Sequence, residues 1–505
     1  MKFKSGIFAK VGNLGIAVLL ILSISACGSS SDEDGTSFLK FYNASPNAPA
    51  IFITIDENLD EDADGEVEQT YANINYGRAL SNQEVSTGTY FYELAWQDED
   101  SSARSDLEIV FEDDLRVEDD AITLVVMSDD ILNPQVSVFN IPIVDDEDDT
   151  DDDLFNIRFL NASPLDTAID IYMSKSDETF NESELMGTFS YLELSENVKR
   201  EEDQYIFYIT LAGSDDILFE SAEVSYPFSS QYVVVIRPSE GAGQSPFVVD
   251  NMGNTSITEY QAADAEARFR VYNGMQLNDL LPEYTGELNI ASDIQSDSEE
   301  IIVSNLGLNG FSDSFTVDNG DYSLSVNNAA DNVALLQNQL LSLPENTDRT
   351  VFYYLTEEYV DEDGDGDFDE DGDGEIDEIE AKLTTTIVEN STRDRIYDHE
   401  IKMLNLAYND DFSRATFYFV KSDEIIETAE ERRSTTIGSP ETLVLLNNTY
   451  QVYAIAEIDN NEIILDSFSL TLDEDSEELF LVLEEDMTAA TGYRMQLFPQ
   501  ISVEE

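Results

Sequence analysis

Short runs of alternating apolar and polar residues recur along this chain, separated by Gly, Asn, Asp and Pro, and the runs themselves come in sets. The clearest is LKFYNASPNAPAIFITI, Leu39 to Ile55, which reads as two period-two strands about an Asn-Ala-Ser-Pro turn. It returns as IRFLNASPLDTAIDIYM (Ile157 to Met173), and more loosely as FRVYNGM (Phe269 to Met275) and KMLNLAYNDDFSRATFYFV (Lys402 to Val420). All four copies align on one asparagine: Asn43, Asn161, Asn273 and Asn405. Apolar residues stand two places before it (Phe41, Phe159, Val271, Met403) and four places before it (Leu39, Ile157, Phe269, Ile401). Three places before it, on the other face of the strand, each copy has a cation: Lys40, Arg158, Arg270 or Lys402. The pattern predicts one buried face and one cation-bearing face.

A second recurring strand has tyrosine at its head: Tyr90, Tyr205, Tyr322 and Tyr450, which follow their asparagines by 47, 44, 49 and 45 residues. Two further β-branched runs close each copy, among them ITLVVM, YVVVI, VFYYL and LFLVL. Many short strands with turn residues between them predict an all-β chain of four tandem antiparallel Ig-like β-sandwich domains. At roughly 100–120 residues each unit is long enough to bury its own core. The expected boundaries are 37–143, 154–251, 267–390 and 391–505, with an acidic linker over 144–153 and a second linker over 252–266. Placed end to end, such units would make a rod of roughly 130 Å.

The Asn-Ala-Ser-Pro opening, complete at Asn43–Pro46 and Asn161–Pro164 and followed by the tyrosine strand, resembles a bacterial family of secreted domains of unknown function, DUF4397. The later two units keep only the asparagine and the strand pattern. The resemblance implies a β-sandwich on a cell surface and brings no catalytic residues with it. The asparagine itself is expected to bond local backbone and hold the turn, with proline fixing the bend; the alternative is a ligand contact.

Ahead of the first unit lies a secretory leader, 1–26, with Lys2, Lys4 and Lys10 before an apolar run, Ile16 to Ile24, too short to span a bilayer. Ile24-Ser25-Ala26-Cys27 resembles a bacterial lipobox, in which Cys27 is acylated and becomes the first mature residue. Cys27 is the only cysteine, so no intrachain disulfide competes for it. Several acyl chains on one residue make attachment stable, at about 0.8 kcal/mol for each buried methylene. Gly28 and Ser29 follow, rather than the aspartate that often signals inner-membrane retention, so the expected address is the outer membrane. Residues 27–36 read as a flexible tether.

Charge narrows the partners. The formal net charge is −84, and −87 without the three leader lysines, a field that repels nucleic acid and anionic lipid. With 42% apolar residues, 27 Phe and 24 Tyr, this is a folded acidic protein rather than a disordered tail.

One acidic stretch has ligand spacing. In DEDGDGEIDEIE from Asp369, oxygen ligands fall at positions 1, 3 and 5 (Asp369, Asp371, Asp373), with Gly374 at 6 and the Glu375 carbonyl at 7. Asp377 stands at 9 and Glu380 at 12, the set that gives calcium its hard oxygens on a sharply turned loop. This loop, within 361–380, resembles those of EF-hand-like and thrombospondin type 3 repeats, without long flanking amphipathic helices. An overlapping second candidate uses Asp361, Asp363, Asp365 and Asp367, but has Gly372 where an acid is wanted. A third, with Asp60, Asp62 and Asp64, ends in Tyr71. The bland alternative throughout is a solvated acidic loop.

Nothing assembles into a catalytic set. His399 is the only histidine and reads as a solvent-facing junction residue, so zinc, haem and Cys/His schemes lack parts. The expected function is a calcium-stabilised, non-catalytic binding or adhesion module with a protein or polysaccharide ligand. An envelope spacer without a ligand, and more remotely a carboxylate glycan hydrolase, are the alternatives.

Overall fold

A computed structural model describes residues 36–57, 68–97, 106–144, 153–282, 284–294, 300–360, 368, 378–407 and 412–501. Among them the regular structure is all β, apart from one 3-10 turn at Phe180–Glu182. Four pairs of sheets make four sandwiches.

Sandwich 1 shows the plan. Its opening strand, Phe38–Ala44, lies between the short strands Arg78–Ala79 and Gln83–Glu84 on one side and Ala121–Ser128 on the other, and Gln135–Pro142 completes the sheet. The facing sheet runs Glu68–Ile74, Ile51–Asp56, Gly88–Gln97, Leu107–Val117. Sandwiches 2, 3 and 4 open with Leu154–Asn161, Ala267–Asn273 and Asp398–Asn405, and repeat the order.

Between the described strands pairing is antiparallel, with one parallel pair per unit. Each opening strand runs parallel to a late strand: Ala121–Ser128, Gln231–Pro238, Asp348–Tyr359 and Leu479–Glu485. Parallel neighbours need a long crossover, and here the whole facing sheet supplies it.

Inside each unit the apolar residues before the asparagine do as the period predicts. Leu39 and Phe41 join Ile51, Ile53, Leu94 and Val125 in the first core, and Ile157 with Phe159, Phe269 with Val271, and Ile401 with Met403 do the same in the others. The opposite face is buried as well. Tyr42, Leu124 and Val126 of sandwich 1 pack on Leu160, Val233, Val235 and Met252 of sandwich 2. In the same way Tyr272 and Phe352 of sandwich 3 pack on Leu404, Phe480 and Val482 of sandwich 4.

Sandwiches 1 with 2 and 3 with 4 are thus stacked face to face, which replaces the expected end-to-end rod. Three of the cations on that face, Lys40, Arg158 and Arg270, are buried and Lys402 is half-buried, because a second domain covers the face. Lys40 Nζ donates to the carbonyls of Gly253 and Asn254 across the first interface, and Arg270 to those of Pro499 and Gln500 across the second.

The second expected linker is largely built into the fold. Ile257–Tyr260 is a strand on the edge of sandwich 2, and Ala262 and Ala265 are buried in its core. At the first, Gln231 Nε2 donates to the Pro142 carbonyl; residues 145–152 lie outside the described set.

Candidate functional site

The four asparagines are fully buried and hold each turn from inside. Asn43 Oδ1 accepts from the Ser45 amide at 3.0 Å, and its Nδ2 donates to the Ile74 carbonyl at 3.1 Å on the facing sheet. Asn161 repeats both bonds with Ser163 and Phe189. Asn273 does so with Met275 and Leu306 and adds the hydroxyl of Tyr284. Asn405 accepts from Ala407, while its Nδ2 has no partner among the described residues. All four side chains thus close an Asx turn, and those of Asn43, Asn161 and Asn273 also tie the end of one sheet to the other, a structural role that accounts for the recurrence.

Between the sandwiches lie polar locks. Tyr42 donates its hydroxyl to Asp250 Oδ2 at 2.5 Å, across the first interface. Asp250 also accepts from Arg237 Nε at 2.7 Å, and Arg237 reaches Glu259 at 2.5 Å. The second interface repeats the first bond: Tyr272 donates to Glu484 Oε1 at 2.8 Å, and Gln496 donates to the other carboxyl oxygen at 2.6 Å. Burial pushes the Glu484 carboxyl up to about 7, against the pull of these two donors. Glu240 is likewise pushed up to about 7 by burial, opposed by Arg393 and Arg237.

Arg393 couples the two pairs. It donates to the carbonyls of Pro46 and Ala48, in the first Asn-Ala-Ser-Pro turn, and lies 3.7 Å from Glu240 of sandwich 2. Both Arg393 and Arg237 sit over the ring of Tyr76. Beside them a polar cleft of about 500 Å³ is lined by Arg393, Arg395, Glu474, Glu478 and Pro499. Burial pushes Glu478 up to about 8, with Arg395 opposing.

An intact turn, its asparagine bonded across two sheets, is the mark of the amino-terminal units. Residues 31–172 match the family DUF4397, a domain of unknown function. The DUF4397 match runs through sandwich 1 and into the second strand of sandwich 2, Ile169–Lys175, so it takes in both intact turns. No curated protein matches the chain. Among solved structures, the Bacillus anthracis TIE protein is 9% identical, with 90% of this chain and 75% of that one covered at a TM-score of 0.15. A leucine-rich repeat protein from Bacteroides thetaiotaomicron is also 9% identical, with 43% and 26% covered at a TM-score of 0.11. Scores so low fix neither fold nor activity.

Cys27, Asp60, Asp62 and Asp64, Asp361 to Asp367, and Asp369 to Asp377 are outside the described residues. Glu380 is described. It sits exposed on the strand Ile379–Glu389, directly opposite Glu358 on Asp348–Tyr359. Register holds to the end of this hairpin, Tyr359 against Ile379, and the Val360 amide then donates to the Glu378 carbonyl. The two strands that flank the acidic insert in sequence are thus paired neighbours within sandwich 3. Like charges directly opposite one another destabilise a pair of strands; Lys382, 2.8 Å from Glu358, offsets this one in part. Phe368 reaches Tyr359, ring centroids 5.7 Å apart.

His399 differs from expectation. It is fully buried on the opening strand of sandwich 4, with Nε2 2.8 Å from Asn447 Oδ1. The alternation His399, Ile401, Met403 was the available signal, masked by charged neighbours at 398 and 400. The locks were missed too. Their trace is the residue just before each asparagine, which alternates Tyr42, Leu160, Tyr272, Leu404.

Proposed function

We propose that this chain is a non-catalytic binding module of a bacterial cell surface, anchored in the outer membrane through acyl chains on Cys27 and stiffened by calcium. Calcium would be held by Asp369, Asp371, Asp373, the Glu375 carbonyl, Asp377 and Glu380. The observation that carries the calcium part is the hairpin stem. Its strand Asp348–Tyr359 is the parallel neighbour of the opening strand of sandwich 3, and its partner strand carries the exposed carboxylate of Glu380 one residue in from Ile379. A cation closing the loop would therefore be coupled to the sheet that packs on sandwich 4.

The non-catalytic part rests on composition and placement. The chain has one cysteine in its leader region and one histidine, buried against Asn447. A rigid acidic body with interlocked domains suits presentation of a surface to a protein or polysaccharide ligand; an envelope spacer is the same body without a ligand. Probing glycan and cell-surface protein arrays with the mature chain, in calcium and in chelator, separates the readings. Retention without turnover, lost in chelator, is the expected result. No retention on any array would leave the spacer, and glycan cleavage abolished by one carboxylate substitution would replace binding by hydrolysis.

A further inference from the structure

The Asn-Ala-Ser-Pro turn occurs intact twice, and one copy has an occupant. In sandwich 1, Ser45, Ala48 and Pro49 are buried. The Arg393 guanidinium, from the stretch leading into sandwich 4, donates to the Pro46 carbonyl at 2.8 Å and the Ala48 carbonyl at 2.9 Å. Four residues on, Tyr397 stacks on Trp96 with ring centroids 4.4 Å apart. Trp96 is paired to Ile51, where the chain leaves the turn. The occupant is thus an extended Arg-x-x-x-Tyr segment laid across turn and strand end.

In sandwich 2 the same turn is bare. Pro164, Leu165, Asp166 and Thr167 are all exposed. Leu211 pairs with Ile169 as Trp96 pairs with Ile51, and it too is exposed. The place of neutral Ala48 is taken by Asp166. Asp215 and Asp216 stand exposed just past Leu211, where the Ala212 amide bonds the Ala168 carbonyl at the foot of the turn. The bare copy keeps the asparagine bond and the strand pairing of the occupied one, but turns differently, with the Leu165 amide on the Ser163 carbonyl where the Ala48 amide meets Ser45, and it adds negative charge, a better match for a guanidinium.

We infer that the exposed turn of sandwich 2 is a docking site for an arginine-bearing extended segment of a partner protein, in the place that the Arg393 segment takes in sandwich 1. The guanidinium bonds the turn carbonyls beside Asp166, and an aromatic residue four places on covers Leu211. Arginine is specified over lysine because two carbonyls and a carboxylate need a planar fork of donors rather than a point charge. The inference rests on the binding reading above and names one partner class; it requires neither calcium nor the anchor.

The probe is a labelled hexapeptide of residues 392–397, Thr-Arg-Asp-Arg-Ile-Tyr, titrated with the intact mature chain at physiological salt. Saturable binding is expected, weakened about tenfold or more by Asp166→Arg, since losing charged hydrogen bonds is worth at least one decade. Glu223→Arg, beside the strand Val224–Ser225 that pairs with the other end of the same tyrosine strand, should leave it unchanged. A peptide with both arginines replaced by lysine should bind about as poorly as the arginine peptide does to Asp166→Arg. Equal loss in the two charge reversals, or equal binding of the lysine peptide, would reduce the effect to the field of an acidic chain and overturn the inference. Binding untouched by Asp166→Arg would place the peptide elsewhere, and no binding at all would also overturn it. Either result leaves retention on the arrays standing, so the two readings fail separately.

Discussion

An Asp250→Ala chain is expected to lose about 3–5 kcal/mol of stability, because it leaves a buried guanidinium short of its main partner. Asp250 is fully buried, and Arg237 is 5% exposed. With the carboxylate gone, Arg237 is left with Glu259, whose side chain is 36% exposed, the Pro238 carbonyl and the Tyr76 ring, and the Tyr42 hydroxyl loses its acceptor. Burial opposes the charge on Arg237, and the carboxylate beside it is the first of the groups that hold it up. Asp250→Asn keeps an acceptor for Tyr42 and removes only the charge, so it should cost less than alanine. Denaturant unfolding of the mature chain reads the difference, and amide exchange in Gln231–Pro238 and Ala121–Ser128 localises it to the first interface. A change within about 0.5 kcal/mol, the range of ordinary surface substitutions, would mean that the interface is wet and the lock idle.

The buried asparagines give a graded test. Asn161→Ala should cost about 2–4 kcal/mol, since the Ser163 amide and the Phe189 carbonyl both lose a buried partner at about 1–3 kcal/mol each. Asn405→Ala should cost about half of that, because among the described residues only the Ala407 amide is stranded and the Asn405 Nδ2 has no partner to lose. Thermal melting of the two variants beside the parent checks the order. Equal losses would show that the side chain acts by filling space rather than by bonding two sheets.

Much of the fold is legible from one sequence because period two and one recurring asparagine are both local signals. Leu39, Phe41 and their counterparts report the core of each sandwich directly. What covers the other face is not local. Lys40 and Arg270 have the polarity of solvent-facing residues, and their burial follows only once a second sandwich supplies carbonyls for them. Pairing of units was written more faintly, in tyrosine before the asparagine of units 1 and 3 and leucine in 2 and 4, with Asp250 and Glu484 as the distant acceptors. Ile257–Tyr260 escaped notice because a four-residue edge strand with two polar members has hardly one period to show. The calcium loop was the opposite case. Its ligand spacing is a sequence property, and of its side-chain ligands only Glu380 falls among the described residues.

Calorimetric titration of the mature chain with calcium, beside Asp373→Ala and Glu380→Ala, tests the account most directly. The whole chain is the right material, because Arg270 of sandwich 3 bonds carbonyls of sandwich 4 and an isolated unit would lose them. Saturable binding with specific heat, weakened in both variants, is the expected result. With it comes a raised melting temperature for sandwich 3, worth about 2.7 kcal/mol at a hundredfold excess over the dissociation constant. Heat that is non-saturating and identical in parent and variants, with no shift in melting, would contradict it and reduce the acidic hairpin loop to solvated charge.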